Sequence, residues 1–278
     1  MIAKLLSRAP LYAALLLALA WTVFPLYWIV VTSFKSEWEV LKWPPSPLPE
    51  DPTIVHYARL IGADRFYQYI FNSFSVSLGA ALVSILLGAP AAYGLVRAGV
   101  PPKFSSVFLV WILTVRMLPP IVIAVPLFEL LRSMGLLDTR FGLVIAYQVY
   151  TLPYAIWILH GFLSAMPKEV EEAAYVDGAT RLQTFTKIVA PMMAPGIIAA
   201  LLLSVLFAWN EFLYALIFIN SPSKYTVTVI VANYIQEFEI DWGRLAGSGV
   251  LSTLPILVLS VYIQRYMIRG LAFGGIKA

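Results

Sequence analysis

An all-α, polytopic membrane protein with six transmembrane helices is what the sequence predicts, and three observations carry that reading. The 278 residues are 60% hydrophobic and only 12% charged, with a mean hydropathy of +0.83. Soluble domains run nearer half apolar and a quarter charged, and no soluble core could absorb this much apolar surface. The apolar residues are also gathered into six long runs, each able to cross a hydrocarbon core that needs about 20 helical residues. Finally, many of the 8 Trp, 15 Tyr and 16 Phe stand near the ends of those runs, where amphipathic rings prefer the headgroup level.

The runs place spans at about 10–33, 69–96, 104–131, 141–163, 195–219 and 248–268 within a single transmembrane domain over 1–278. An even number puts both termini on one side. The first run follows Lys4 and Arg8 but exceeds the core of a signal peptide and lacks an obvious small-residue cleavage site before Phe34, so it reads as a retained helix. Lys35 to Phe66 is rich in proline around Trp43 to Pro49, which predicts an extended loop with a short amphipathic piece on the membrane surface. The third run holds Pro119, Pro120 and Pro126 and should be kinked or broken. Gly79 and Gly88, beside Ala80, Ala81 and Ala89, offer small surfaces for close helix packing.

Several function classes drop out. With no Cys there is no disulfide framework, thiolate metal site or cysteine nucleophile. A net charge of +4 on so few charged residues gives no stripe that tracks a phosphate backbone, so nucleic acid is set aside. The chain has only two His and no Gly-x-x-x-x-Gly-Lys-Ser/Thr loop. It therefore shows neither a metal pair, nor a catalytic constellation, nor an ATP-hydrolysing site of its own.

Between the fourth and fifth spans lies an extramembrane loop, 164–194, with helical grammar. Pro167 suits a helix start, Glu169, Glu171 and Glu172 occupy the early turns where the macrodipole favours acids, and Gly178 is placed to stop the helix. Thr180 with Gln183 then reads as a capping box for a second helix. Its apolar face is Leu182, Phe185, Ile188 and Val189, and Pro191 ends or kinks it. A helix of about ten residues is marginal alone in water, so packing against its own chain or a partner must hold it.

Glu172-Ala173-Ala174, Asp177-Gly178, Phe185, Ile188 and Pro191 resemble the "EAA" loop of binding-protein-dependent ABC import permeases, with Ala190 departing from the usual Leu before the proline. Length, six spans, the segment Ala208 to Phe212 and the ending Arg269 to Ala278 further resemble the shorter permease subunit of maltose-, trehalose- and glycerol-phosphate-type importers. The resemblance implies the type I ABC importer permease fold. It implies that 168–177, ending at Asp177, is a coupling helix seated on a cytoplasmic ATPase subunit, with Glu172 pairing with or capping a group of the ATPase, Ala173 and Ala174 allowing close approach, and Gly178 supplying the turn. Gly274, Gly275 and Lys277 in the tail, 269–278, would reach between the ATPases. The implied partners are a second homologous permease subunit, an ATPase dimer holding ATP and Mg, an extracytoplasmic sugar-binding protein and membrane lipid. Both termini would then be cytoplasmic; Lys and Arg divide too evenly between the two sides to decide this alone.

Arg116 falls mid-span, as do Asn210 and Glu211, where translocon scales charge about 2.5–3.5 kcal/mol per ionised group. Two readings stand: Asn210 and Glu211 line a sugar route with Arg116 as counter-charge, or they form a structural polar pair stapling two helices. Glu129 and His160 read as interfacial residues, and the charged loop 220–247, with Lys224, Glu237, Glu239, Asp241 and Arg244, as an external surface that either meets a binding protein or is a solvated loop with no partner. The rivals are an ABC permease for a polyamine or amino acid, and an ion-coupled carrier using Arg116, Glu129 and Glu211. No internal repeat of the kind such carriers show is evident.

Overall fold

The computed structural model describes residues 2–235 and 240–274. In chain order its helices are α1 (Ile2–Ser33), α2 (Glu37–Val40), α3 (Val55–Gly62), α4 (Phe66–Arg97), α5 (Pro102–Val115), α6 (Pro120–Ser133), α7 (Arg140–Ala146) and α8 (Gln148–Ser164). They continue with α9 (Glu169–Val176), α10 (Arg181–Met192), α11 (Ala194–Trp209), α12 (Leu213–Phe218), α13 (Val227–Ala232) and α14 (Trp242–Gly274). Among the described residues the one β-type pairing is an isolated bridge between Ile235 and Ile240.

α1, α4 and α14 contain unbroken apolar stretches long enough to cross a bilayer. The others are bent pairs. α5 and α6 meet at 90°, because Pro119 and Pro120 donate no backbone hydrogen bond and a residue before proline avoids the helical region; Pro120 then opens α6 at its first position. α7 and α8 meet at 49° around Tyr147, a bend the run 141–163 did not announce. There the Gln148 side-chain amide donates to the Val144 carbonyl at 2.8 Å and to the Ala80 carbonyl of α4 at 3.1 Å, supplying donors to two backbone carbonyls beside the bend.

The fifth expected span, 195–219, is helical over α11 and α12 with a break at 210–212. Sixteen residues of α11 rise only about 24 Å, and α12 supplies the remaining reach across a core of about 30 Å. α10 also adjoins α11, at 74°, but Arg181, Gln183, Thr186 and Lys187 make it a poor lipid-facing half.

The chain divides into two compact units. The first comprises 1–67 and 230–255. Its proline-rich segment is more organised than an extended loop: the buried Glu39 carboxylate accepts hydrogen bonds from the Ser46 hydroxyl and the Glu50 backbone N–H, both at 2.8 Å. Burial alone would raise this carboxyl's pKa, and the hydrogen bonds from Glu50 and Ser46 bring it below the usual range. Buried His56 bonds the Lys35 carbonyl at 2.9 Å and lies directly against Gly243.

The second unit, 68–229 with 256–278, holds two apolar clusters. One joins Val76 and Ala80 of α4 to Leu143 and Tyr147 beside α7 and to Tyr214 and Phe218 of α12. The other joins Ala89 and Ala92 of α4, Leu159 and Leu163 of α8, and Val189, Met193 and Ala200 from the α10–α11 region. Small residues permit these approaches: a Cβ on Gly88 would sit 3.2 Å from Ala155 Cβ, and one on Gly79 would sit 3.1 Å from a Val144 methyl. Gly196 is tighter still, since a Cβ there would fall 2.6 Å from Phe162 Cγ. Gly196→Ala is therefore expected to destabilise the protein by about 1–3 kcal/mol through overpacking of α11 on α8, read as a lowered midpoint of thermal unfolding in detergent.

Candidate functional site

The loop 164–194 forms a small helical knob at one end of the second unit. α9 begins at Glu169 with Lys168 as its N-cap, so Pro167 precedes the cap instead of opening the helix. It closes in a Schellman arrangement. Gly178 adopts φ +83°, its N–H donates to the Tyr175 carbonyl at 3.1 Å, and the Ala179 N–H donates to the Ala174 carbonyl at 2.9 Å. The expected capping box is present, with the Gln183 N–H donating to Thr180 Oγ1 at 3.3 Å and the Thr180 N–H donating to Gln183 Oε1 at 2.9 Å.

Of the motif residues, Glu172, Ala173, Asp177 and Gly178 are exposed, while Ala174 is buried. Ala174 therefore packs inward on its own chain. Phe185 and Ile188 are half-buried, Phe185 meets the Tyr93 ring at 5.0 Å between centroids, and Val189 is fully enclosed. Leu182, expected on the apolar face, points into the open with 72% exposure, as does Val176 at 88%. The stretch Phe185–Val189 is a π turn. It lies just ahead of Pro191, whose ring would collide with the carbonyl four residues back in a regular helix, and the wider turn gives that carbonyl room.

Glu171, not singled out by the motif, is the buried acid of the knob. Its Oε1 accepts from Arg97 Nε at 2.6 Å and its Oε2 from the Tyr93 hydroxyl at 3.0 Å, both from α4. Arg97 also donates to the Met166 carbonyl at 2.9 Å. Only the spacing of acids in the first turn of α9 hinted at this residue; its partner lies 74 residues away.

The mid-span polar residues are not gathered into one pair. The Arg116 guanidinium lies over the rings of Tyr154 and Phe207, 3.9 and 4.2 Å from their centroids, a cation–π cradle at the α5 end. Glu211 is buried and directs both carboxylate oxygens at backbone, accepting from the N–H groups of Tyr214 at 2.9 Å and Ala215 at 3.2 Å, so that it caps α12. Asn210 is exposed at the break and donates to the Leu206 carbonyl at 2.8 Å. Sequence reasoning missed a second polar group, in which Ser84 Oγ lies 2.7 and 2.6 Å from Gln148 Oε1 and Thr151 Oγ1, its one proton serving these two acceptors between α4 and α8. Glu129 forms an exposed pair with Arg132 at 3.9 Å, and His160 meets Ser105 at 3.2 Å. Gly274 ends α14, while Gly275, Lys277, Glu237 and Glu239 lie outside the described residues.

At the opposite end of this unit Asp138 ties two loops together. With φ +54°, it accepts from the N–H groups of Asn220 and Ser221 at 3.1 and 2.9 Å and from Lys224 Nζ at 2.8 Å. Lys224 is thus engaged by its own chain. Asp241 and Arg244, in the first unit, likewise pair with each other, and Arg244 reaches Asp64 at 3.6 Å.

The model of the family described as "Binding-protein-dependent transport system inner membrane component" matches residues 84–272. The chain belongs to that family. The permease is 34% identical over 255 residues to the sulfoquinovosyl glycerol transport system permease protein of Agrobacterium fabrum, covering 92% of this chain and 89% of the relative. It is 33% identical to the trehalose transport system permease protein of Mycobacterium tuberculosis, covering 98% and 99%. In fold it is similar to a chain of a bacterial ABC transporter involved in alginate import, at a TM-score of 0.77, 22% identity and 92% and 95% coverage. The permease therefore has the type I ABC importer membrane-subunit fold and resides in the membrane.

The Asp138 clamp carries a pH signature. Lys224, with Ser221 adding to it, holds the Asp138 carboxyl well below the ordinary aspartate range. A depressed folded-state pKa gives stability that is full above the unfolded value near 4 and is lost as pH falls through the folded value. Asp138→Asn, which tolerates the positive φ, should lower stability at pH 7 by about 1–2 kcal/mol. It should also flatten the fall in melting temperature of the wild type below about pH 4, measured by thermal unfolding across pH.

Proposed function

We propose that the permease is one of two membrane-spanning subunits of an ATP-driven, binding-protein-dependent sugar importer, and that the outer face of α9 seats on a cytoplasmic ATPase subunit. The observation that carries this reading is the two-sided character of α9. One side is fixed to its own chain through Glu171 and Ala174, while Glu172, Ala173 and Val176 are offered outward, away from the spans. Exposed apolar groups such as Val176 and Leu182 on an extramembrane knob fit a protein partner that covers them.

ATP binding then closes the ATPase dimer, which holds ATP and Mg; the seated helix moves as a body and the spans pass from inward-open to outward-open. Release of ADP and phosphate resets them. Both termini face the cytoplasm, and the tail bearing Gly274, Gly275 and Lys277 reaches between the ATPase subunits. A second, homologous permease subunit completes the route, and an extracytoplasmic binding protein delivers the solute. Relatives named for trehalose and for trehalose/maltose transport support a di- or oligosaccharide. Along the route, Asn210 at the helix break and the Arg116 cradle with Tyr154 and Phe207 face the solute, the rings offering apolar platforms and the side-chain donors reaching hydroxyls. Glu211 keeps the break in shape by capping α12.

The test is copurification of the assembled transporter followed by a screen of sugars, each presented with the binding protein, for stimulation of ATPase activity. Trehalose or maltose should stimulate, and a photo-crosslinker at position 173 should capture an ATPase subunit. Glu172→Lys should abolish the stimulation while leaving the permease folded. Failure of the crosslinker to capture any ATPase would remove the docking assignment.

A further inference from the structure

α9 is joined covalently to α8 and α10, yet its buried ion pair runs to neither. Glu171 of α9 and Arg97 in the last turn of α4 form an ion pair at 2.6 Å with side-chain exposures of 5% and 9%. No other ion pair among the described residues has both partners so thoroughly enclosed. Tyr93, one turn earlier on α4, donates to the same carboxylate at 3.0 Å and lies 3.2 Å from the Tyr175 hydroxyl of α9. One of the two terminal guanidinium nitrogens of Arg97 donates to the carbonyls of Met166 at 2.9 Å and Leu163 at 3.4 Å, at the end of α8. Arg97 is therefore the common node of three elements: the end of α4, the end of α8 and the helix of the knob.

We infer that Glu171, Arg97 and Tyr93 form a lock, closed throughout the transport cycle, that makes α9 and the α4 end one rigid body and passes the displacement of α9 to α4. These are positioning residues: none of them touches solute or nucleotide. The physical ground is that a buried pair resists separation, because each ion would lose its partner without regaining full hydration. Partial opening is therefore disfavoured, and a push on α9 is delivered to α4 instead of being absorbed at the loop. Connectivity alone would deliver it to α8 and α10. The inference rests on the coupling role of α9 argued above.

The chain contains no Cys, so the pair Arg97→Cys with Glu171→Cys adds the only thiols of this subunit, and treating the wild-type complex with the same reagent controls for thiols of the other subunits. In the assembled transporter, reconstituted with ATPase subunits and binding protein, this variant with free thiols should keep ATPase activity while sugar imported per ATP falls about tenfold, the scale of a typical coupling between sites. Bridging the thiols with a short bifunctional thiol reagent should restore the wild-type ratio. A static packing role would respond to neither the loss nor the bridge in that ratio. A wild-type ratio with free thiols, or a ratio left low after bridging, overturns the lock. Should the double variant fail to assemble, Tyr93→Phe removes one hydrogen bond and leaves the ion pair in place. It should lower the import-to-ATP ratio without altering assembly, and an unchanged ratio overturns the inference. If the wild-type complex itself shows no ATP-driven sugar uptake, the coupling reading of α9 fails, separately from the lock.

Discussion

A carboxylate and a guanidinium withdrawn from water each lose several kcal/mol of hydration, and their mutual attraction restores this only when geometry is good and the remaining donors find acceptors. In Glu171 and Arg97 one carboxylate oxygen faces Nε, the other faces Tyr93, and one of the two terminal guanidinium nitrogens finds backbone carbonyls at the end of α8. Arg97 stands in the last turn of α4, where the macrodipole favours a cation. The short helix α9 would fray alone in water. Its position relative to α4 depends on this contact, assisted by the Tyr93–Phe185 ring pair and the apolar cluster around Leu159, Leu163 and Val189. The outward offering of Glu172 and Ala173 follows from it, since turning Glu171 inward leaves the neighbouring positions of a 3.6-residue repeat facing away.

A second constraint runs through the spans. Every backbone group in an apolar interior needs a partner, and three of the spans are broken. Side chains supply what the breaks remove. Gln148 bonds the Val144 carbonyl at the bend before α8, Glu211 takes the free N–H groups where α12 begins, and the Asn210 side chain adds a second donor to the Leu206 carbonyl, which its own backbone N–H already meets. Polar residues that look costly in a hydropathy plot are thus part of the accounting for irregular backbone. Close approach of the helices follows from missing side chains, as at Gly88 against Ala155 and Gly196 against Phe162.

Much of this was legible in the sequence, because the rules involved are local. The apolar runs fix where helices lie, Gly178 and the Thr180–Gln183 box fix where α9 stops and the next helix starts, and Pro119 with Pro120 fixes the break after α5. Family membership was legible from the Glu172 to Pro191 pattern and agrees with the family match. What the sequence concealed is non-local. Nothing near Glu171 reveals Arg97, nothing near Lys224 reveals Asp138, and hydropathy treats Glu211 as an ion adrift in lipid when it is a helix cap. The outward turn of Leu182 was hidden for a related reason: periodicity assigns an apolar stripe, and the π turn that follows shifts the register of the residues after it.

That wide turn has a further consequence. A helix that accommodates one surplus residue rotates everything beyond it by about 100° relative to an uninterrupted spiral. Val189 and Met193 are both enclosed, at 0% and 1% exposure, whereas Lys187 and Met192 remain outside. Straightening the turn into a regular helix without removing a residue would rotate the part beyond it and carry Met192 toward the place that Met193 holds in the apolar cluster. The wide turn, and not the apolar pattern alone, thus aligns the inward side of the knob with the cluster while the chain carries one residue more than a regular spiral would use.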